Sequence, residues 1–324
     1  MTAKSSTVST VLGPVPAADL GVVSVHEALL SVLPGAQYAF DIVIDRAGIF
    51  QILAAKLTDF RAAGGGTIVD RTGMFHGRDL PLYEALARST GVHIVASTGL
   101  GPEELLGGYF LTPQTNPPVP WPAEKFADLF TREVSEGMVV PRLERRAAAG
   151  LVATAVNRAG RTATEESLLR GAARAARSTG VPVSVRYGND AAGDLRVILD
   201  ERLPAGRVVV GGLDRRDAVE SGAPAEIARR GAYVALDHVG TEEGGYITDH
   251  ERAGLVAKLA GEGHADRILL SASAAGVSKG QPGCDVPYSH VLSTFVPLLH
   301  AAGVGDADVQ RILAGNPCDL LTPR

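Results

Sequence analysis

Cysteine is scarce: Cys284 and Cys318 are the only two among 324 residues. That excludes a cysteine-rich zinc module and fits a reducing compartment. Long apolar runs are absent too, since nowhere do about 18 uninterrupted apolar residues occur, and the opening MTAKSSTVSTVLGPVPAADL has no apolar signal core. The expectation is a cytoplasmic protein without a membrane partner. Basic charge is not in surplus, the formal net charge being -5. The basic cluster RLERR, Arg142 to Arg146, lies in helix-like sequence beside acidic residues. No extended cationic face for nucleic acid results. A small-molecule ligand is the partner class left standing.

What is present is a regular alternation. Hydrophobic residues make up 45% of the chain and charged residues 21%, enough apolar material for one large core. Eight short β-branched runs recur: VVSV before His26, TIVD to Asp70, HIVAST to Thr98, LVATAV to Val156, VPVSV to Val185, RVVVGG to Gly212, YVALDH to His238 and RILLSAS to Ser273. Between them lie alanine- and leucine-rich segments such as PLYEALARSTG and EESLLRGAARAARSTG, with the three- and four-residue apolar spacing of helices packed outside a sheet. Strand and helix repeated eight times predict a (β/α)8 TIM barrel, a parallel eight-stranded barrel with outer helices. The reading is one domain over residues 1–324 with a flexible stretch at 1–10. The triplet Gly64 to Gly66 precedes a strand, so it reads as a helix end and turn rather than a phosphate loop, which should follow a strand. The Gly- and Pro-rich segment 99–122 reads as a lid or pocket wall.

Several stretches carry a more specific likeness: TVLGPVPAADLGVVSVHE, GGTIVDRTGMFHGRD, HIVASTGL, FTREVSEGM, AARSTGVPVSV, RVVVGGLD, YVALDH, RILLSAS and the tail FVPLL…RILAGNPCDLL. In this order the chain resembles the phosphotriesterase family of the amidohydrolase superfamily. The resemblance implies the barrel, a homodimer and two divalent metals. Those metals are held by a histidine pair on the first strand, a carboxylated lysine on the fourth, histidines on the fifth and sixth, and an aspartate on the eighth. Carried onto this sequence, the first histidine is His26, and the other positions fall on Ala28, Ala153, Arg186, Gly212 and Ser273. Methyl groups and hydrogen offer no lone pairs and a guanidinium repels a dication, so no metal and no other cofactor is expected.

Catalytic groups of such a barrel come from the carboxyl ends of the strands. These ends stay polar. The catalytic candidates are His26, His238, Asp237 and Tyr187; the substrate-binding candidates are Arg186, Arg71, Asp70, Ser273, Ser271 and Asp214. Arg186 takes a ligand position, and its planar donors suit a carboxylate or phosphate. Its alternative is an internal ion pair with Asp70 or Asp237. Strand alternation puts Asp237 toward the ligand-side layer with His238 turning into the mouth. The formal G-x-S-x-G at GVSKG, Gly276 to Gly280, would make Ser278 a nucleophile only on a strand-to-helix elbow, and the following GQPGCDVP is no helix. The function expected is metal-independent acid/base chemistry on a small anionic or carbonyl-containing metabolite: isomerisation, elimination, decarboxylation or lactone opening. A metal-dependent hydrolase or lactonase and a non-catalytic binding protein are the alternatives.

Overall fold

The computed structural model describes residues 6–106, 119–140, 144–241, 243 and 245–324. In chain order the elements are β1 (Thr7–Thr10), β2 (Gly13–Pro16), β3 (Val22–Val32), α1 (Arg46–Ala62), β4 (Gly65–Asp70), α2 (Leu80–Thr90), β5 (His93–Thr98), α3 (Glu103–Leu106) and α4 (Ala123–Ser135). There follow β6 (Val139–Val140), β7 (Glu144–Arg145), β8 (Leu151–Ala155), α5 (Ala163–Thr179), β9 (Val183–Arg186), α6 (Ala191–Asp200), β10 (Val208–Gly211), α7 (Arg216–Glu220), α8 (Ala223–Arg229), β11 (Tyr233–Leu236), α9 (Asp249–Gly261), β12 (Ile268–Leu270) and β13 (Ala275–Lys279).

Nine strands form one sheet in the order β12-β11-β10-β9-β8-β5-β4-β3-β13, every neighbouring pair parallel. The sheet curls until β12 also lies against β3. Helices cover its outer face, which is why these strands read as continuous Val, Ile, Leu and Ala rather than as alternating patterns. Val23, Val25, Val69, Val95, Leu151, Val209, Ala235 and Leu269 fill the inside of the curl. Leu168, Leu169, Leu195, Ile198 and Ile227 pack between the sheet and the helices.

The helix starts follow local chemistry. Thr162 with Glu165, and Thr248 with Glu251, close capping boxes on α5 and α9, while Asp79 caps α2. At the glycine triplet, Gly64 has φ +99 just past the end of α1, and a Cβ on Gly66 would stand 2.4 Å from the Leu20 carbonyl oxygen. The turn reading of that triplet is the one the fold uses.

Two expectations need correction. Residues 7–10, read from sequence as part of a flexible stretch, are strand β1, paired antiparallel with β2, and Val8 and Thr10 are buried. The eighth run is not the last strand: β13 adds a ninth, pairing Ser278 with Ser31 of β3. Ser278 therefore sits inside a strand and on no nucleophile elbow. Of the expected lid, residues 107–118 lie outside the described residues.

Candidate functional site

The carboxyl ends of the strands surround a cavity of about 780 Å³. Its lining includes His26, Glu27 and Ala28 in succession, a sequence that regular strand alternation would split between two faces. A register shift between Ser24 and Glu27, where β3 pairs with β4, breaks the alternation. Bulges of this kind re-aim side chains at sites. Ser273 completes one wall with φ 47, a left-handed backbone that a non-glycine residue adopts only at a cost.

Below the cavity runs a chain of hydrogen bonds. Ser184 Oγ lies 2.8 Å from His26 Nε2, and His26 Nδ1 lies 2.7 Å from Asp237 Oδ2. The other Asp237 oxygen accepts from Gly212 N at 2.7 Å and is 3.0 Å from His238 Nδ1. His238 Nδ1 also lies 3.2 Å from Asp214 Oδ1, while Asp214 Oδ2 accepts from His238 N at 2.8 Å and from Arg252 Nε at 2.9 Å. Tyr246 stacks on the His238 ring at a centroid distance of 3.8 Å.

These contacts fix the protonation states. Burial raises the Asp237 carboxyl, but His238 and His26 outweigh it and hold it well below the usual carboxylate range. Burial and the Arg71 charge lower His26 despite its bond to Asp237, so its ring stays neutral. His26 Nδ1–H then donates a hydrogen bond to the Asp237 carboxylate, and Nε2 accepts from Ser184. Burial pulls His238 down too, yet the Asp237 charge and the bonds to Asp214 and Asp237 push it up to about 9. Its ring is a cation at neutral pH, with Nδ1 committed to carboxylates.

Two further cations face the same space. Arg186 is exposed at the end of β9, lines the cavity and has no hydrogen bond or ion pair among the described residues. Arg71 follows β4 with its side chain 15% exposed, and its nearest acid is Asp237 Oδ2 at 4.0 Å. Burial lowers the Arg71 guanidinium to about 10, the Asp237 charge opposing this and the Arg186 charge adding to it.

The sequence candidates separate accordingly. Arg71, Arg186, His26, His238 and Ser273 line the cavity. Asp237 lies buried beneath it, joining the two histidines. Asp70 is committed to Leu29 N, Tyr83 Oη and Thr72, and Asp214 to His238 and Arg252. Neither Asp70 nor Asp237 pairs with Arg186, so the internal ion pair weighed for that arginine is not formed. Tyr187 and Ser271 are buried away from the lining, each hydroxyl without a partner among the described residues, and the Tyr187 ring packs under Arg215 at 3.9 Å. Of the positions the sequence treats as vacated metal sites, Gly212 lends only its backbone N–H, to Asp237.

A metal finds little here. Ala28 and Ala153 present methyl groups to the cavity. Among the described residues one trio of side chains is close enough to share an ion, Asp214, Asp237 and His238, with ligand atoms within 4.8 Å of one another. Every one of its carboxylate oxygens already accepts a hydrogen bond, and Nδ1 of its imidazole is directed at those same oxygens. The donor set does not fit a metal centre.

Several members of this network escape sequence reading. Ser184 is two residues before Arg186 on one strand, so the period of two places both inward; that signal was available. Arg252 and Tyr246 come from a helix and a loop with no motif. Glu27 stands inside the conspicuous HEA triplet, but nothing in the sequence shows where its carboxylate goes.

The fold is thus an α/β one, a curled parallel sheet wrapped by helices with a polar cavity at the strand ends. The chain belongs to the phosphotriesterase family, whose model matches residues 6–321. A "Phosphotriesterase homology protein" of Mycobacterium tuberculosis (strain CDC 1551 / Oshkosh) is 30% identical over 325 residues, covering 95% of each chain. An "N-acetyltaurine hydrolase" of Salmo salar is 26% identical over 360 residues, covering 99% of each. A solved structure of a Deinococcus radiodurans PTE-like lactonase mutant superposes with a TM-score of 0.84 at 25% identity, covering 97% of this chain and 99% of that one. Hydrolases recur among these relatives. No described helix is long and apolar enough to cross a membrane.

Proposed function

We propose that this protein is a metal-independent hydrolase of small acyl compounds that carry an anionic group, on the closed eight-stranded barrel of its family. The observation that carries this reading is the cavity wall itself, with cationic Arg186 and methyl groups of Ala28 and Ala153 where the family resemblance implies metal ligands. Arg186 anchors the anion. His238 is the acid: carboxylates hold Nδ1, leaving Nε2 as the ring nitrogen without a partner among the described residues. His26 and Asp237 orient it from below. Water adds to the acyl carbon, the acyl C–O or C–N bond breaks, and the leaving atom takes the Nε2 proton. The proton released by the water returns to His238, restoring it.

The relatives named for lactone and N-acetyltaurine chemistry supply the test substrates, γ-lactones and N-acetyltaurine. Turnover is expected to survive prolonged chelation within about twofold, because no binding free energy is tied to a metal. His238→Asn should lower the rate by about 10²–10⁴-fold, the range for losing a general acid. A rate that rises in proportion to added zinc, manganese or cobalt would overturn the reading.

A further inference from the structure

We propose that the cavity is built for a dianion shared by two guanidinium groups, Arg71 toward its floor and Arg186 on its wall. The inference rests on the anion reading of Arg186 above and adds the charge class of the ligand. Arg186 has no counter-ion among the described residues. The acid nearest Arg71, Asp237, is 4.0 Å away and already satisfied by His26, His238 and Gly212 N. No side-chain N–H of Arg71 makes a hydrogen bond among the described residues, so its donors remain for a ligand.

The remaining charges of the lining do not supply the missing negative charge. Glu27 is held by Ser24 Oγ at 2.6 Å and by the backbone N–H groups of Ala272 and Ala274 at 3.0 and 2.6 Å. Glu243 is exposed to solvent. His76 lines the cavity, with Nε2 3.1 Å from the Gly101 carbonyl oxygen, and His238 adds positive charge. Two like charges kept facing one cavity, one of them largely buried, are costly without a partner. A single carboxylate answers one of them. A dicarboxylate, or an acyl compound joining a carboxylate to a sulfonate or phosphate, answers both.

Calorimetric titration in chelated buffer at neutral pH decides this, with sodium acetate, sodium succinate and sodium sulfate as probes. Succinate is expected to bind at least about tenfold tighter than acetate, a gain of roughly 1.4 kcal/mol. Arg71→Gln and Arg186→Gln should each bring succinate down to the acetate level. Tight sulfate alongside tight succinate places both guanidiniums on one tetrahedral group, and tight succinate with weak sulfate assigns them to separate groups; both support the proposal. Arg71→Lys, which keeps the charge, should retain the preference for the dianion at lower affinity, and far-ultraviolet circular dichroism confirms that each variant is folded. Acetate binding as tightly as both dianions, lost in Arg186→Gln but untouched in Arg71→Gln, would overturn the dianion while sparing the anion anchor. Absence of any anion binding would remove both.

Discussion

Arg252 and Arg186 carry the same side chain in opposite circumstances. Arg252 is fully buried and donates to Asp214 at 2.9 Å, to Asp249, and to the carbonyl oxygens of Thr241 and Ile247 at 3.2 and 3.0 Å. Arg186 is exposed in the cavity and donates to nothing among the described residues. A buried guanidinium bonded at all three of its nitrogens is a strut, whose charge is cancelled on the spot. One at the end of a strand with its donors unused is open to an anion from solvent, which is the receptor role proposed for Arg186. The distinction extends to the acids. Asp70, Asp214 and Asp237 lie on the strut side of the division, each held by hydrogen bonds within the protein, and none of the three answers Arg186.

The comparison breaks most visibly at the strut. Arg252→Ala removes the guanidinium that pairs with Asp214 and Asp249 in a buried site, and its unfolding free energy in urea should fall by about 3–5 kcal/mol. Loss of less than about 1 kcal/mol would mean that the buried network is not what fixes this end of the sheet. Glu27→Gln should cost less, about 1–3 kcal/mol, because the side-chain amide cannot accept from the Ala272 and Ala274 N–H groups with both of its ends. Those two bonds tie β3 to the segment that follows β12, together with Ala28 N donating to the Ala274 carbonyl at 2.9 Å. Slower amide exchange at Ala274 in the wild type than in the variant is the accompanying measurement.

The division between strut and receptor was only partly legible beforehand. Eight strands could be read from apolar runs because a covered parallel sheet leaves a strong local signature, and the chemistry of strand ends follows from that phasing. Whether an inward arginine is paired depends on contacts between residues far apart in the chain. Asp237 meets His26 across 211 positions and Asp214 meets Arg252 across 38. No periodicity records such meetings. The ninth strand escaped because AGVSK at Ala275–Lys279 is small and polar, held by its pairing with β3 rather than by propensity. Tyr187 has the opposite history: a strand-end position suggested the mouth, but the residue after Arg186 turns to the other side, where Arg215 covers its ring.

The smallest effect expected is a slope in stability with pH, and it separates a fixed charge from a titrating one in the same network. His238 has an ordinary imidazole value near 6.5 when unfolded and about 9 when folded: burial opposes the charge, but the carboxylates of Asp237 and Asp214 sustain it. The folded protein therefore binds the proton more tightly, so this contribution is complete below about pH 6.5 and is lost as pH rises through about 9. Arg71, its charge further off at 4.0 Å from Asp237, stays protonated over most of that window, and Tyr246, pushed up mainly by burial to about 12, remains neutral. Glu27 contributes a decline of the same sign at lower pH, because burial raises it to about 7. The Glu27 part of the decline is finished near neutrality, burial also raises Asp70 in the same direction, and the part of any fall between about pH 7.5 and 9 that belongs to His238 is the part that His238→Gln removes. Unfolding free energies measured in urea at half-unit steps over that interval should decline by at most one proton's worth of slope, about 1.4 kcal/mol per pH unit. His238→Gln should flatten the curve there while leaving the part below neutrality in place. A wild-type curve already flat from pH 7.5 to 9 would show that the imidazole is neutral in the folded protein, and His238 would then serve as a base where we have assigned it as the acid.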